Sequence, residues 1–330
     1  MFRYPDGALP NCGALSYIFA AYSGGVLCLA NRAGAVNLLG IALVASALCM
    51  AAYLIHDCAH NAVFRSTASN ARLAVVLGWI TGSCYTPTDA IIRKHMLHHK
   101  ERIDNVSFDY RIALRTRPRL TVLVCILEWC YLPAVELWMR LAVLTAPFRE
   151  RRFAARRARV LCMLLVRGTL FAMLGMWSPR ALGLYVIAYL LFVHVLRFFD
   201  AFQHSYALRV VSTMDDVDRA ARPPPDYEER NTYSNPLASR WPWLNWLVLN
   251  FPFHNAHHHR PHEPWYRLPQ IHREYYGELS ARTLCGTLML RNYHHYRVVR
   301  VLDDYGAEGH GIEDPTRFAG ALGVSFLTQY

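Results

Sequence analysis

Lysine is almost missing from this 330-residue chain: only Lys94 and Lys100 occur, so nearly all of the 35 Lys+Arg positions are arginine. Charge of either sign is scarce, at 18% of residues against 54% apolar, and the mean hydropathy lies just above zero. That balance excludes a disordered tail and an ordinary soluble domain. No C-x-x-C pair occurs among the nine cysteines, which excludes a C-x-x-C-type iron–sulfur site. Cys28, Cys49, Cys125 and Cys162 lie inside apolar runs and read as small buried hydrophobes. The opening MFRYPDGALP lacks a basic stretch leading into a short apolar core and cleavage site, so no removable signal is expected. Internal repeats and low-complexity tracts are lacking as well.

What is there is apolar sequence gathered in blocks near the roughly 20 residues that cross a bilayer. The expected fold is all-α: an integral membrane helical bundle of about four spans with interfacial helices and a cytoplasmic cap. The spans fall at 13–30, 36–55, 160–177 and 181–199. The stretch 71–92 is interrupted by Gly78, Gly82, Pro87 and Asp89, and 120–147 by Glu128, Pro133, Glu136 and Arg140. Both are expected to be interfacial or re-entrant. Arg167, inside a span, must snorkel or find a partner.

Six arginines, Arg149, Arg151, Arg152, Arg156, Arg157 and Arg159, crowd eleven residues before the third span. The positive-inside rule puts them in the cytoplasm. In such a chain the net charge of +11 marks a face against anionic lipid headgroups; no nucleic-acid partner is expected. By the same rule residues 200–277 form the cap, on the cytoplasmic side. An exposed linker is expected over 215–225, ending in Pro223-Pro224-Pro225, and Trp241, Trp243 and Trp246 suit either the headgroup level or a buried aromatic cluster. The membrane domain is read as 1–277, with 278–330 a cytoplasmic tail.

The compositional outlier is histidine, at 16 residues. His56 and His60 stand i,i+4 at the end of the second span; His95, His98 and His99 follow the interrupted block; His254, His257 and His258 repeat that spacing, and His204 stands just past the last span. One helical turn brings such imidazoles to one face, where they can share a metal. Nine are too many for one tetrahedral ion, and two ions fit the count. Imidazole alone suits zinc, copper, iron or nickel, so spacing does not name the metal. Neutral imidazoles leave the ions' charge poorly compensated, so carboxylates are expected behind them, with Asp57, Asp104, Asp109 and Asp200 placed to serve. His259 and His262 flank the third box but, at i+5 and i+8 from His254, need not face the metals; His194 reads as bonded between helices, and His272, His294, His295 and His310 as surface or core.

The ordered triple H-x3-H, H-x2-H-H, H-x2-H-H around helical spans resembles the membrane-bound fatty acid desaturase superfamily over about 36–275. Gln203-His204 resembles the extra histidine that family members supply after the final span, and Asn250 gives the third box its N-x3-H-x2-H-H form. Asp200 stands where some acyl-CoA desaturases carry asparagine. The resemblance implies a di-iron centre held by His56, His60, His95, His98, His99, His204, His254, His257 and His258. It also implies O2 as co-substrate, two electrons per turnover, and attack on an unactivated C–H bond of a fatty acyl chain or related lipid. A hydroxylase or ketolase of the same superfamily, acting on a lipid or carotenoid, is the nearest rival. An intramembrane zinc protease built on His56-Asp57-x-x-His60, or a membrane metal or haem carrier, leaves the clustering unexplained. No fused cytochrome b5-like domain follows the third box, so a separate electron donor is expected, a ferredoxin or a cytochrome b5-like protein.

Overall fold

The first two apolar blocks form α1 (Ala8–Leu29) and α2 (Gly34–Ala59), which pack backbone to backbone. The computed structural model describes residues 1–211, 224, 226–237, 241–277, 283–302, 314–322 and 325–329. A Cβ on Gly25 would stand 2.8 Å from Val44 Cγ2, and one on Gly40 2.9 Å from the Gly25 carbonyl. Only glycine permits that approach, as in membrane helix pairs generally. Asn37 Nδ2 donates to the carbonyls of Cys28, Leu29 and Asn31 at 3.0–3.1 Å, satisfying the end of α1.

After α3 (Thr67–Thr81) come α4 (Thr88–Glu101), β1 (Asp104–Val106), α5 (Tyr110–Thr116), α6 (Pro118–Trp129) and α7 (Ala134–Arg149). Then follow α8 (Arg157–Trp177), α9 (Pro179–Ala201), β2 (Leu208–Val210), α10 (Tyr227–Asn231), α11 (His254–His259), α12 (Leu268–Tyr276), α13 (Gly286–His295) and α14 (Val299–Leu302). Among the described residues, four stretches are long and apolar enough to cross a membrane: Pro5–Leu29, Gly34–Ala59, Arg151–Trp177 and Pro179–Ala201. They overlap the four expected spans, and α2 runs into the first histidine box and is capped by its last residue, His60. The 120–147 block is broken as expected: α6 and α7 meet at 116° and pass the same test only as a pair. Tyr131 there has φ 59°, and Pro133 cannot donate to a continuing helix.

The chain divides into two compact units. The first comprises Met1–Thr88, Leu144–Val195 and Leu247–Leu249; the second comprises Asp89–Val143, Leu196–Trp246 and Asn250–Tyr330. In the first, the block expected at 71–92 is not one element. Helix α3 has 15 residues, a length of about 22 Å, short of the roughly 30 Å hydrocarbon core. It ends at Gly82, whose φ of 81° suits glycine. Residues 88–92 belong instead to the helix of the second box. Arg167 finds its partner here: Nη1 donates to the Trp79 carbonyl, while Tyr189 Oη donates to that of Thr81 at 3.2 Å. Two of the open carbonyls ending α3 are thus satisfied by side chains of α8 and α9.

The second unit is built on Val106, Tyr110, Leu114, Val124, Val135 and Met139, joined by Val301 and Leu322. Strands β1 and β2 pair in parallel, Asp104 opposite Leu208. Residues 286–302 and the described part of 314–329 belong to this unit. Trp241, Trp243 and Trp246 are exposed, which fits the headgroup alternative and not the buried cluster. The linker at 215–225, apart from Pro224, and His310 lie outside the described residues.

Candidate metal centre

Seven of the nine expected imidazoles lie in the second unit, and local structure explains how they meet. His95, His98 and His99 stand one turn apart on α4. The parallel pairing of β1 with β2 returns His204, four residues before Leu208, to the end of α4. His204 bridges to Thr232 and the Ser205 N–H donates to the Asn231 carbonyl at 3.0 Å, drawing α10 to the same place. The third box rides on α11, six residues long. Before it, Leu249 and Asn250 take left-handed backbone, φ 48° and 52°, a conformation leucine rarely adopts. Asn250 Nδ2 donates to the Trp265 carbonyl at 3.2 Å and so braces this turn.

The ring nitrogens converge in two groups. His95 Nε2 lies 3.1 Å from His99 Nε2, which lies 3.1 Å from His257 Nε2. His98 Nε2 lies 3.1 Å from His204 Nε2, itself 2.7 Å from His254 Nε2, and His258 offers a nitrogen within 4.8 Å of these. Two imidazole nitrogens bound to one ion at about 2.1 Å and at right angles would lie about 3.0 Å apart, so the spacing fits a metal.

Protonation fits too. His98 Nδ1 lies 2.8 Å from the Ile103 carbonyl and 3.3 Å from Asp104 Oδ1, both acceptors, so it carries the proton and turns the Nε2 lone pair to the group. His258 Nδ1 donates to Glu228 Oε1 at 2.8 Å, leaving a buried Nε2 with no hydrogen-bond partner. Burial, reinforced by His254, His98 and His258, holds His204 well below the usual imidazole value. Burial also pushes His258 down to about 4, against the pull of Glu228. Both rings are neutral near pH 7, the form that ligates a metal.

In the first unit, His56 on α2 and its cap residue His60 are both buried with ring centroids 5.0 Å apart, and Asp57 Oδ1 lies 3.6 Å from His56 Nδ1.

The model of the fatty acid desaturase family matches residues 33–284, which include all three boxes and His204. The chain belongs to that family. No curated protein and no solved structure matches it. Membership identifies this desaturase-family protein as an oxidoreductase, and with the four apolar helices it marks an integral membrane protein.

Sequence reasoning missed Glu228, which the family protein places against the second histidine group. Its Oε1 accepts from His258 and its Oε2 from Arg102 Nε at 3.1 Å. Burial raises its carboxyl, but the bond from His258 and the Arg102 charge outweigh that and hold it below the usual value. With His99 and His258 it forms a further group able to reach an ion. Nothing in Tyr227-Glu-Glu-Arg230, beside the proline run, distinguishes it from linker sequence. Glu228→Gln is expected to weaken metal affinity about 10- to 100-fold, the usual effect of losing such an outer partner. Metal titration of the purified variant checks this, and unchanged affinity would reduce Glu228 to a surface acid.

The other carboxylates divide. Asp104 touches His98, whereas Asp109 caps α5, accepting the N–H groups of Arg111 and Ile112 at 3.0 and 3.1 Å. Asp200 ends α9 and acts, with Glu136 and Asp104, on the buried Lys94, whose value burial lowers to about 8 against their attraction. His259 packs on the Tyr275 ring at 4.1 Å, His272 Nδ1 lies 3.4 Å from Ser234 Oγ, and His294 bonds Tyr131.

Proposed function

We propose that the protein removes two hydrogens from a fatty acyl chain or related membrane lipid, using O2 and two electrons, at a pair of iron ions held by His56, His60, His95, His98, His99, His204, His254, His257 and His258. The observation that carries this reading is the convergence of ring nitrogens from three distant stretches into two groups. The spacing of the first box and the family resemblance add His56 and His60. Bound iron would supply O2 activation, which a methylene chain with no acid–base handle requires. The chain's own part is to keep the imidazoles neutral, to fix their rings through Ile103, Asp104 and Glu228, and to hold an acyl chain in register beside them.

The test is expression in a host of known lipid composition, with mass spectrometry of its acyl chains, alongside His98→Ala. An O2-dependent product two hydrogens lighter supports desaturation. A product one oxygen heavier would move the activity to hydroxylation, and no product from iron-loaded protein would remove the acyl chain as substrate.

Electrons come, in this reading, from a separate ferredoxin or cytochrome b5-like donor on the cytoplasmic face. The 149–159 stretch is its proposed dock. Arg149, Arg151, Arg152, Arg157 and Arg159 are exposed, and the guanidinium groups of Arg152 and Arg156 lie 4.7 and 4.9 Å from the Phe153 ring centroid. Reversing the charge at Arg151, Arg152, Arg156 and Arg157 is expected to slow donor-driven turnover roughly ten-fold at low salt. The loss should shrink as the screening length falls from about 30 Å at 0.01 M to about 8 Å at 0.15 M. Equal loss at both salts would remove the docking assignment.

A further inference from the structure

Residues 325–329 lie outside the stretch that matches the family, yet Ser325, Leu327, Thr328 and Gln329 are all buried in the second unit. Three side chains and one backbone carbonyl hold them, by their own backbone or by Gln329. Lys94 Nζ donates to the carbonyls of Ser325 and Thr328 at 3.3 and 3.0 Å. The Ser325 N–H donates to Glu136 Oε2 at 3.0 Å, while Glu136 Oε1 accepts from Arg140 Nε at 2.7 Å. Gln329 Nε2 reaches the Val211 carbonyl, next to β2, at 3.1 Å, and Ser107 Oγ, next to β1, lies 3.5 Å from Gln329 Oε1. The segment therefore touches the box helix, the α7 ion pair and the two-stranded sheet. It also delivers Phe326, whose ring centroid lies 6.0 Å from that of His95.

Lys94 is 6% exposed and directly precedes His95. A buried ammonium that loses its acceptors is unfavourable, so loss of the two carbonyls would favour a turn or lift of α4 that brings Lys94 towards water. Such a turn would carry His95, His98 and His99 with it. The Phe326 ring, for its part, stands tilted at 56° beside the His95 imidazole.

We propose that Ser325–Gln329 is a strap that positions the His95 imidazole, with Lys94 and Glu136 as its anchors and Phe326 as the surface that fixes the ring. Lys94, Glu136 and Phe326 are positioning residues. The inference rests on the metal reading of the histidine groups.

The experiment uses the full chain, purified in detergent, with cobalt(II) as probe. Its ligand-field absorption reports affinity and geometry, and amide hydrogen exchange over residues 89–101 reports the state of α4. Deleting residues 325–330 is expected to weaken cobalt binding about ten-fold or more, the scale of outer-partner losses, and to speed exchange in α4. Because the deletion can impair folding, Phe326→Ala provides the second variant. It should keep the α4 exchange pattern while changing the cobalt spectrum, and Phe326→Tyr, which restores a ring, should return the spectrum towards the parent. A deletion and a Phe326→Ala variant that both match the parent in spectrum, affinity and exchange would overturn the strap. A parent protein that takes up no cobalt or iron would instead overturn the metal reading, and exchange in α4 would then decide by itself whether the strap holds that helix.

Discussion

Replacing His257 with alanine is expected to remove bound iron and activity together, taking turnover to background while the protein still folds into micelles. The reason lies in how the site is shared. His257 Nε2 is one end of a chain of ring nitrogens that passes through His99 to His95 at 3.1 Å steps. In the proposed centre alanine would remove a direct ligand, a larger loss than the roughly 100-fold that an outer partner contributes at most. His98→Ala should behave alike, since His98 joins His204 in the other group. Metal content per chain, measured beside product formation, checks both. His310→Ala and His294→Ala are the controls and should retain iron and activity, which separates ligand loss from a general intolerance of histidine changes. An iron-loaded, active His257→Ala protein would contradict the assignment.

The histidines were legible because their spacing is a local signal: i,i+3 and i,i+4 imidazoles share a helix face whatever the rest of the chain does. The four long helices were legible for the same reason, since twenty apolar residues in a row leave few alternatives. The breaks in the two middle blocks could be foreseen from Gly82 and Pro133, though not that residues 88–92 would join the box helix. Other features depend on contacts made far along the chain. Glu228 reaches His258 only because β1 and β2 pair and the Ser205 N–H meets Asn231. Proximity in sequence groups Asp109 with the carboxylates expected behind the imidazoles, but an aspartate preceding Tyr110-Arg-Ile is equally a helix cap, and that is the geometry found. Residues 325–329 bear no motif, and Lys94, one of two lysines, gave no sign that it binds their carbonyls.

Glu128→Ala is expected to destabilise the protein by about 3–5 kcal/mol, the usual cost of breaking one side of a buried ion pair. Its carboxylate does two things at once. Oε2 accepts from Arg197 Nη1 on α9 at 3.0 Å, with both side chains at most 5% exposed. Oε1 accepts the N–H of Val135 at 3.2 Å, across the sharp break between α6 and α7. The early N–H groups of α7 have no helical acceptor, so Glu128 serves as a cap supplied from the preceding helix and neutralises Arg197 from the same position. Alanine leaves the guanidinium buried without its charge partner and that N–H unsatisfied. Arg197→Met should cost a similar amount by exposing Glu128 to the same imbalance. The double variant Glu128→Leu, Arg197→Met should cost much less than the sum, because no buried charge is left unpaired and only the Val135 N–H still lacks its acceptor. In a thermal scan at fixed detergent, each single change is expected to lower the apparent melting temperature by roughly 5–10 °C. Strictly additive losses would mean that the two side chains act independently, and the carboxylate would then matter to the helix break alone.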